Sequence, residues 1–242
     1  MRQAPTSGEL AQALAAALGL ELPAPVEVVE LERLTGGASR ETWSFDAVDA
    51  TGERHGLILR RDFPERAGAA GEVIVAELGR SVELGLQRAL HAAGALVPRP
   101  LGAPHEELGL RDCYLMERID GESRPRAIAR KPELAGVRAR LAEDTGHALA
   151  RIHSVDVTSL PGLPQSGVEQ QLALVRKFLD EGPAPRPALE LGLRWSRKHR
   201  PPSSSEPRLV HGDFRNGNLI VGADGLRAVV DWEYAHLGEQ AA

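Results

Sequence analysis

Four polar residues near the C-terminal end of this 242-residue chain have the types and spacing that chemistry requires. They lie in the stretch LVHGDFRNGNLIVGADGLRAVVDWEYAHL, residues 209–237. His211 and Asp213 follow the apolar pair Leu209-Val210, Asn218 opens the run Leu219-Ile220-Val221, and Asp231 follows Val229-Val230. An Asp-Gly pair between apolar runs favours a hairpin with a two-residue type I′ turn, so Asp224-Gly225 is the expected turn. Ala223 then faces Leu226, and the same register sets Asn218 beside Asp231 at the open end of the hairpin. Asp213 lies one short loop upstream of that end. Two carboxylates and an amide oxygen converging there are hard ligands suited to Mg²⁺, which binds through one or two carboxylates and substrate phosphates.

The order His-x-Asp-x4-Asn, followed by an aspartate closing a hairpin, is the catalytic-loop and metal-aspartate arrangement of kinases. In the form His211-Gly212-Asp213, Asn218 and Asp231-Trp232-Glu233 it resembles the aminoglycoside phosphotransferase family, small-molecule kinases with a protein-kinase-like fold. The resemblance implies an α+β, two-lobed fold. An antiparallel-sheet lobe that binds the nucleotide would span residues 1–118, and a mainly helical lobe carrying the catalytic β-hairpin would span 119–242. It further implies ATP as phosphoryl donor and a small-molecule hydroxyl as acceptor. Asp213 would accept or orient the acceptor's proton, Asn218 and Asp231 would hold Mg²⁺, and His211 would brace the loop.

Other elements must position these groups. Thr6-x-x-Glu9 is a capping-box pattern opening an amphipathic helix that Gly19 and Pro23 end. Strands are expected over 26–34, 39–48 and 57–61, separated by the turn signals Thr35-Gly36-Gly37-Ala38 and Thr51-Gly52. Gly36 and Gly37 lack Cβ atoms, so their backbone N–H groups can approach a phosphate closely. The third strand ends in Arg60-Arg61, where a kinase places its phosphate-binding cation. The resemblance assigns that role to Arg60. Alternation alone does not choose between the two arginines, and Arg61 is expected to be solvated. A long helix is expected over 72–93, with Glu83 as partner of the strand cation and Glu77 as its rival. Cys113 to Met116 reads as a buried strand leading into a linker from Glu117 to Gly121. The resemblance makes this the hinge, with Met116 and Glu117 against the nucleobase.

Beyond Gly121 the pattern is helical. One helix is expected from Pro132 through Ile152, with His147 and His153 as structural histidines, and two more at about 168–179 and 188–198. The segment Gly36-Gly37-Ala38-Ser39-Arg40-Glu41-Thr42-Trp43, with Leu59-Arg60-Arg61, is similar to the subgroup associated with acyl-CoA dehydrogenases. That similarity implies a hydroxyacyl acceptor. Gly212 stands where protein kinases carry the arginine that pairs with a phosphorylated activation loop, which argues against that kind of regulation. Family members continue past the DWE segment, so the second lobe is expected to be incomplete, leaving Trp232, Tyr234 and Leu237 partly wet. An inert nucleotide-binding or interaction module is the rival reading.

Composition bounds the rest. A net charge of −5 and a pI near 5.9 leave no basic footprint for nucleic acid, and the basic run 194–200 reads as a solvated helix face. No uninterrupted apolar run approaches membrane-spanning length. The lone Cys113 and the absence of a signal-peptide core lead to the expectation of a cytoplasmic protein.

Overall fold

The computed structural model describes residues 6–34, 40–62, 77–102, 108, 110, 112–160, 162–182, 184–200 and 206–239. The first helix, α1 (Ser7–Leu18), is capped as its sequence requires, with the Thr6 hydroxyl accepting from the Glu9 N–H and Glu9 answering on the Thr6 N–H. A five-stranded antiparallel sheet follows, built from β1 (Glu27–Leu34), β2 (Arg40–Val48), β3 (Arg54–Asp62), β4 (Pro100–Gly102) and β5 (Cys113–Glu117), in the order β1-β2-β3-β5-β4. Gly36 and Gly37 lie outside the described residues.

The two faces of this sheet divide by alternation. Leu57, Leu59, Cys113 and Leu115 pack with Leu10, Leu14 and Leu18 of α1. Ile58, Tyr114 and Met116 pack on the other face against Leu84 of α2 (Arg80–Ala92). Arg60 is paired with Tyr114 and Arg61 with Cys113, so the two arginines point to opposite faces. Arg60 faces α2.

The helix α2 is shorter than its sequence pattern suggests. It begins at Arg80, and Glu77-Leu78-Gly79 is extended, with Gly79 as N-cap at ψ 152°. Residues 72–76 lie outside the described residues. The Leu78 backbone is captured by neighbours before it can join the helix. Its N–H donates to the Glu233 carbonyl at 2.7 Å, and its carbonyl accepts from Arg40 at 3.0 Å and Arg80 at 2.9 Å. Gly94, in a left-handed conformation at φ +73°, follows the helix C-cap Ala93.

The second half is mainly helical: α3 (Pro125–Arg130), α4 (Ala135–Arg138), α5 (Leu141–His153), α6 (Val168–Asp180) and α7 (Pro187–Lys198). The single helix expected from Pro132 is broken into a 3-10 turn, α4 and α5, with Arg140 leaving helical geometry at φ −115°, ψ −1°. Of the two histidines expected to be structural, His153 is half-buried and His147 is exposed. Four short strands complete the fold: β6 (Arg208–Val210) pairs with β9 (His236–Gly238), and β7 (Leu219–Gly222) with β8 (Gly225–Val229). The hairpin β7–β8 packs into the main core through Leu219, Val221 and Val229. Trp232 is 0% exposed, contrary to the expectation, whereas Tyr234 and Leu237, the latter in register with Leu209, remain partly exposed. Among the described residues no helix is long and apolar enough to cross a membrane.

Candidate active site

The hairpin exists, but its register differs from the expected one. Gly222 pairs with Gly225, so Ala223-Asp224 is the turn, one residue earlier than Asp224-Gly225. Asp224 accepts from Arg227 at 2.8 Å, and its carbonyl is taken by Arg140, which fixes the turn from outside. A bulge between Ile220 and Val221 shifts the register once more. At the open end the Asn218 carbonyl accepts from the Val230 N–H at 2.9 Å, not from Asp231. Asp231 is thus one residue beyond the position opposite Asn218, and it adopts a left-handed backbone at φ +70°. That conformation is uncommon for a residue with a side chain and marks a site that its surroundings hold in place.

Asp213 and Asn218 do come together. The Asn218 amide donates to the Asp213 carboxylate and to its carbonyl, both at 2.9 Å. Arg215 Nε adds contacts of 2.9 and 3.1 Å to the two Asp213 oxygens. His211 lies buried beneath this loop. Its Nδ1 accepts from the Asp213 N–H at 3.2 Å and its Nε2 faces the Val230 carbonyl at 3.1 Å, which fits the neutral Nε2–H tautomer. Burial lowers its pKa below the ordinary imidazole value, against the favourable hydrogen bond to Val230. The ring also packs on Trp232, with centroids 4.4 Å apart. His211 therefore ties the Asp213 loop to the strand that leads into Asp231. At Gly212, φ is +82° and a Cβ would collide with the Tyr234 carbonyl, so no side chain fits there.

Asp231 turns toward the sheet. Its Oδ1 accepts from Arg60 Nη2 at 2.7 Å, and the Asp231 side chain remains 30% exposed. Arg60, buried, lies 3.5 Å from Glu83. Glu83 is 0% exposed, but Arg60 is not its main partner. Arg40 Nη1 donates to Glu83 Oε2 at 2.9 Å, Arg80 binds the same oxygen, and the Tyr114 hydroxyl donates to Oε1 at 2.8 Å. Burial pushes the Tyr114 phenol well above its ordinary pKa, and the neighbouring Glu83 acts in the same direction. Glu77, the rival for the strand cation, instead lies 3.4 Å from Arg40.

Arg61 is buried, contrary to the expectation that it is solvated. It pairs with Glu41 and lies over the Trp43 ring, 5.8 Å from its centroid. Met116 sits in the small core between the sheet and α2, with Gln87 4.0 Å from its sulfur. The Glu117 N–H donates to the Arg99 carbonyl at 2.9 Å and the Arg118 N–H to the Gly56 carbonyl at 2.8 Å. Both donors are therefore engaged within the sheet. Elsewhere, Asp49, Glu53 and His55 gather at the β2–β3 turn. There Asp49 accepts from Thr51 and from the Glu53 N–H, which makes it a turn lock.

Sequence reasoning missed Arg40, Arg80, Tyr114 and Glu233. A charged residue at a strand or helix start ordinarily reads as solvated. The one available signal was that Arg40 and Arg60 have the same parity on neighbouring strands, which the pairs Arg40–Asp62 and Thr42–Arg60 turn into a shared face.

Comparison with known proteins is consistent with this geometry. The model of the phosphotransferase enzyme family matches residues 30–242. Acyl-CoA dehydrogenase family member 11 of Rattus norvegicus is 30% identical over 169 residues, covering 64% of this chain and 21% of that protein. Family member 10 of Mus musculus is 28% identical over 237 residues, covering 93% of this chain and 20% of its own. The chain thus spans about a fifth of the length of these relatives. Among solved structures, a GDP and kanamycin complex of APH(2")-IIIa superposes with a TM-score of 0.67 at 14% identity, covering 94% of this chain and 74% of that one. Aminoglycoside phosphotransferase APH(4)-Ia gives 0.62 at 17% identity, covering 97% and 74%. These structural neighbours share the protein-kinase-like α+β fold.

Proposed function

The chain belongs to the phosphotransferase enzyme family, and on that premise we propose that it moves the γ-phosphate of ATP onto a hydroxyl of a small molecule, with Mg²⁺ as cofactor. One observation carries the reading: Asp213 and Asn218 are hydrogen-bonded at the mouth of a hairpin whose far strand delivers Asp231 to a buried cation on the sheet. The donor set suits the metal, because Asp231 offers a partly exposed carboxylate and Asn218, its amide nitrogen committed to Asp213, offers an amide oxygen. Asp231 and Asn218 would hold the Mg²⁺, which would supply neutralisation of the charge on the transferring phosphoryl group.

The residues of the chain do the rest by positioning. Asp213 accepts the acceptor hydroxyl's proton and aims its oxygen, while Asn218 and Arg215 fix the carboxylate. Neutral His211 braces the loop from below. Arg60 steadies the α and β phosphates, with Glu83 beside it. Met116 and Glu117 form the edge toward the nucleobase. The curated relatives are named as acyl-CoA dehydrogenase family members, which supports an acyl compound as acceptor, its hydroxyl being what phosphoryl transfer requires.

Incubation with γ-labelled ATP, Mg²⁺ and a panel of hydroxylated small molecules, hydroxyacyl compounds among them, is expected to label an acceptor. Asp213→Asn is expected to lower turnover by about two decades or more, the scale of general-base catalysis, and to leave MgATP binding nearly unchanged. Equal turnover in that variant removes the proton role from Asp213. MgATP binding without transfer to any acceptor assigns a nucleotide-binding module instead.

A further inference from the structure

We propose that Arg40 is a positioning residue that fixes the metal aspartate, Asp231, through Glu233. The inference rests on the reading of Asp231 as a Mg²⁺ ligand. Arg40 opens β2 on the face that carries Arg60, and its side chain is 3% exposed. Its Nη1 lies 2.9 Å from Glu83 Oε2 and 3.3 Å from Glu233 Oε2, so one nitrogen bridges the helix and the segment after the hairpin. Its Nη2 donates to the Leu78 carbonyl at 3.0 Å, and the Leu78 N–H donates to the Glu233 carbonyl at 2.7 Å. Both the side chain and the backbone of Glu233 are therefore tied to the Arg40 guanidinium, one directly and one through Leu78.

Glu233 is two residues past Asp231, whose φ of +70° needs support on both flanks. The upstream flank is held by the Val230 N–H on Asn218 and by His211 on the Val230 carbonyl. On the downstream side Trp232 is buried, its indole N–H donating to Val229 at 3.2 Å, and Glu233 follows. Arg40 lies 3.3 Å from the Glu233 carboxylate and Arg60 4.0 Å. Glu83 does not depend on Arg40 alone, because Arg80 and Tyr114 also hold it. Beyond Glu83, Arg40 reaches Glu77 and Glu233, and of these Glu233 lies in the segment that follows Asp231. A planar fork bridges two carboxylates in fixed directions, and a lysine ammonium does not.

The test compares ADP affinity with and without Mg²⁺ in the wild type, Arg40→Lys and Arg80→Lys. Arg80→Lys is the control, since Arg80 is equally buried and its contacts run to Glu83, Asp62 and the Leu78 carbonyl. Arg40→Lys is expected to leave metal-free affinity within twofold of the wild type and to cut the Mg²⁺ enhancement at least tenfold. Arg80→Lys is expected to lower the melting temperature and keep the enhancement. An Arg40→Lys enhancement within twofold of the wild type, or an equal loss in Arg80→Lys, overturns the proposal. If Arg40→Lys does not melt cooperatively, Glu233→Gln decides: loss of the enhancement supports the link and retention refutes it. A wild type without any Mg²⁺ enhancement refutes the metal reading itself and is seen before any variant is made.

Discussion

Arg60 and Arg61 are neighbours, both buried, yet the sheet sends them to different tasks, and truncating each should separate binding from stability. Arg60 faces Asp231 and Glu83, whereas Arg61 faces Glu41 and Trp43 on the α1 side. In Arg60→Ala the fold loses little. Asp231 is already 30% exposed and hydrates, and Glu83 keeps Arg40, Arg80 and Tyr114. What is expected to disappear is the charge-assisted contact to phosphate proposed for Arg60, about 1.5–3 kcal/mol, or roughly one to two decades in affinity. Arg61→Ala strips a buried carboxylate of its nearest cation and removes a guanidinium from an aromatic face. Glu41 retains Arg33 at 3.4 Å, so the cost stays at about 1–3 kcal/mol of stability. For a chain of this size that lowers the melting temperature by roughly 2–12 °C. Calorimetric titration with MgATP and thermal denaturation of both variants are the assays. Arg60→Ala binding ATP within threefold of the wild type, or Arg61→Ala binding as poorly as Arg60→Ala, refutes the assignment of Arg60 to phosphate.

Three further outcomes follow from the same geometry. Gly212→Ala places a Cβ against the Tyr234 carbonyl at a left-handed φ, so a loss of at least about 2 kcal/mol in denaturant unfolding is expected, with turnover falling as the Asp213 loop shifts. Tyr114→Phe removes the hydroxyl that donates to Glu83 and accepts from Gln87, and should cost about 1–3 kcal/mol in the same experiment. Burial lowers the His211 pKa in the folded chain, so below about 6.5 the unfolded state takes up the proton first. Its contribution to stability is complete above that pH and declines as pH falls toward the folded value. The slope of stability against pH in that window should be shallower in His211→Gln.

Much of the sheet was legible because alternation and turn residues agree. Thr6 with Glu9, the first two strands and the Thr51-Gly52 turn follow from local chemistry that the fold does not override, whereas the third strand starts at Arg54, three residues earlier than expected, and β4 was not foreseen. The polar constellation was legible for another reason: its residues are close in sequence on either side of one hairpin. The exact register was not. The Asp224-Gly225 signal favours a turn there, but Asp224 is instead drawn back by Arg227 and its carbonyl by Arg140, which lies far away in sequence. The expected long helix failed likewise. Periodicity carried Leu78 into it, whereas its backbone is claimed by Glu233, Arg40 and Arg80. Both errors arise where long-range hydrogen bonds outcompete a local preference.

The same long-range contacts explain why the junction between sheet and hairpin is built of charge. Arg40, Arg60 and Arg80 are buried around Glu83, with Asp62, Glu77, Asp231 and Glu233 nearby. Taking such ions out of water costs several kcal/mol each, and a well-packed apolar cluster of equal volume is often at least as stable. The Nε atoms of Arg40, Arg60 and Arg80 make no well-aligned hydrogen bond, although those of Arg40 and Arg80 lie 3.5 and 3.1 Å from Asp62. Stability alone is therefore a weak reason for this arrangement. Direction is a stronger one. Apolar side chains would hold the two halves in contact but would leave Asp231 free to choose its backbone conformation and its aim. Guanidinium forks impose both, one on the Asp231 carboxylate from Arg60 and one on Glu233 from Arg40, two residues downstream. A transfer catalysed mainly by positioning depends on such constraints, and the buried arginines supply them at the point where the hairpin meets the sheet.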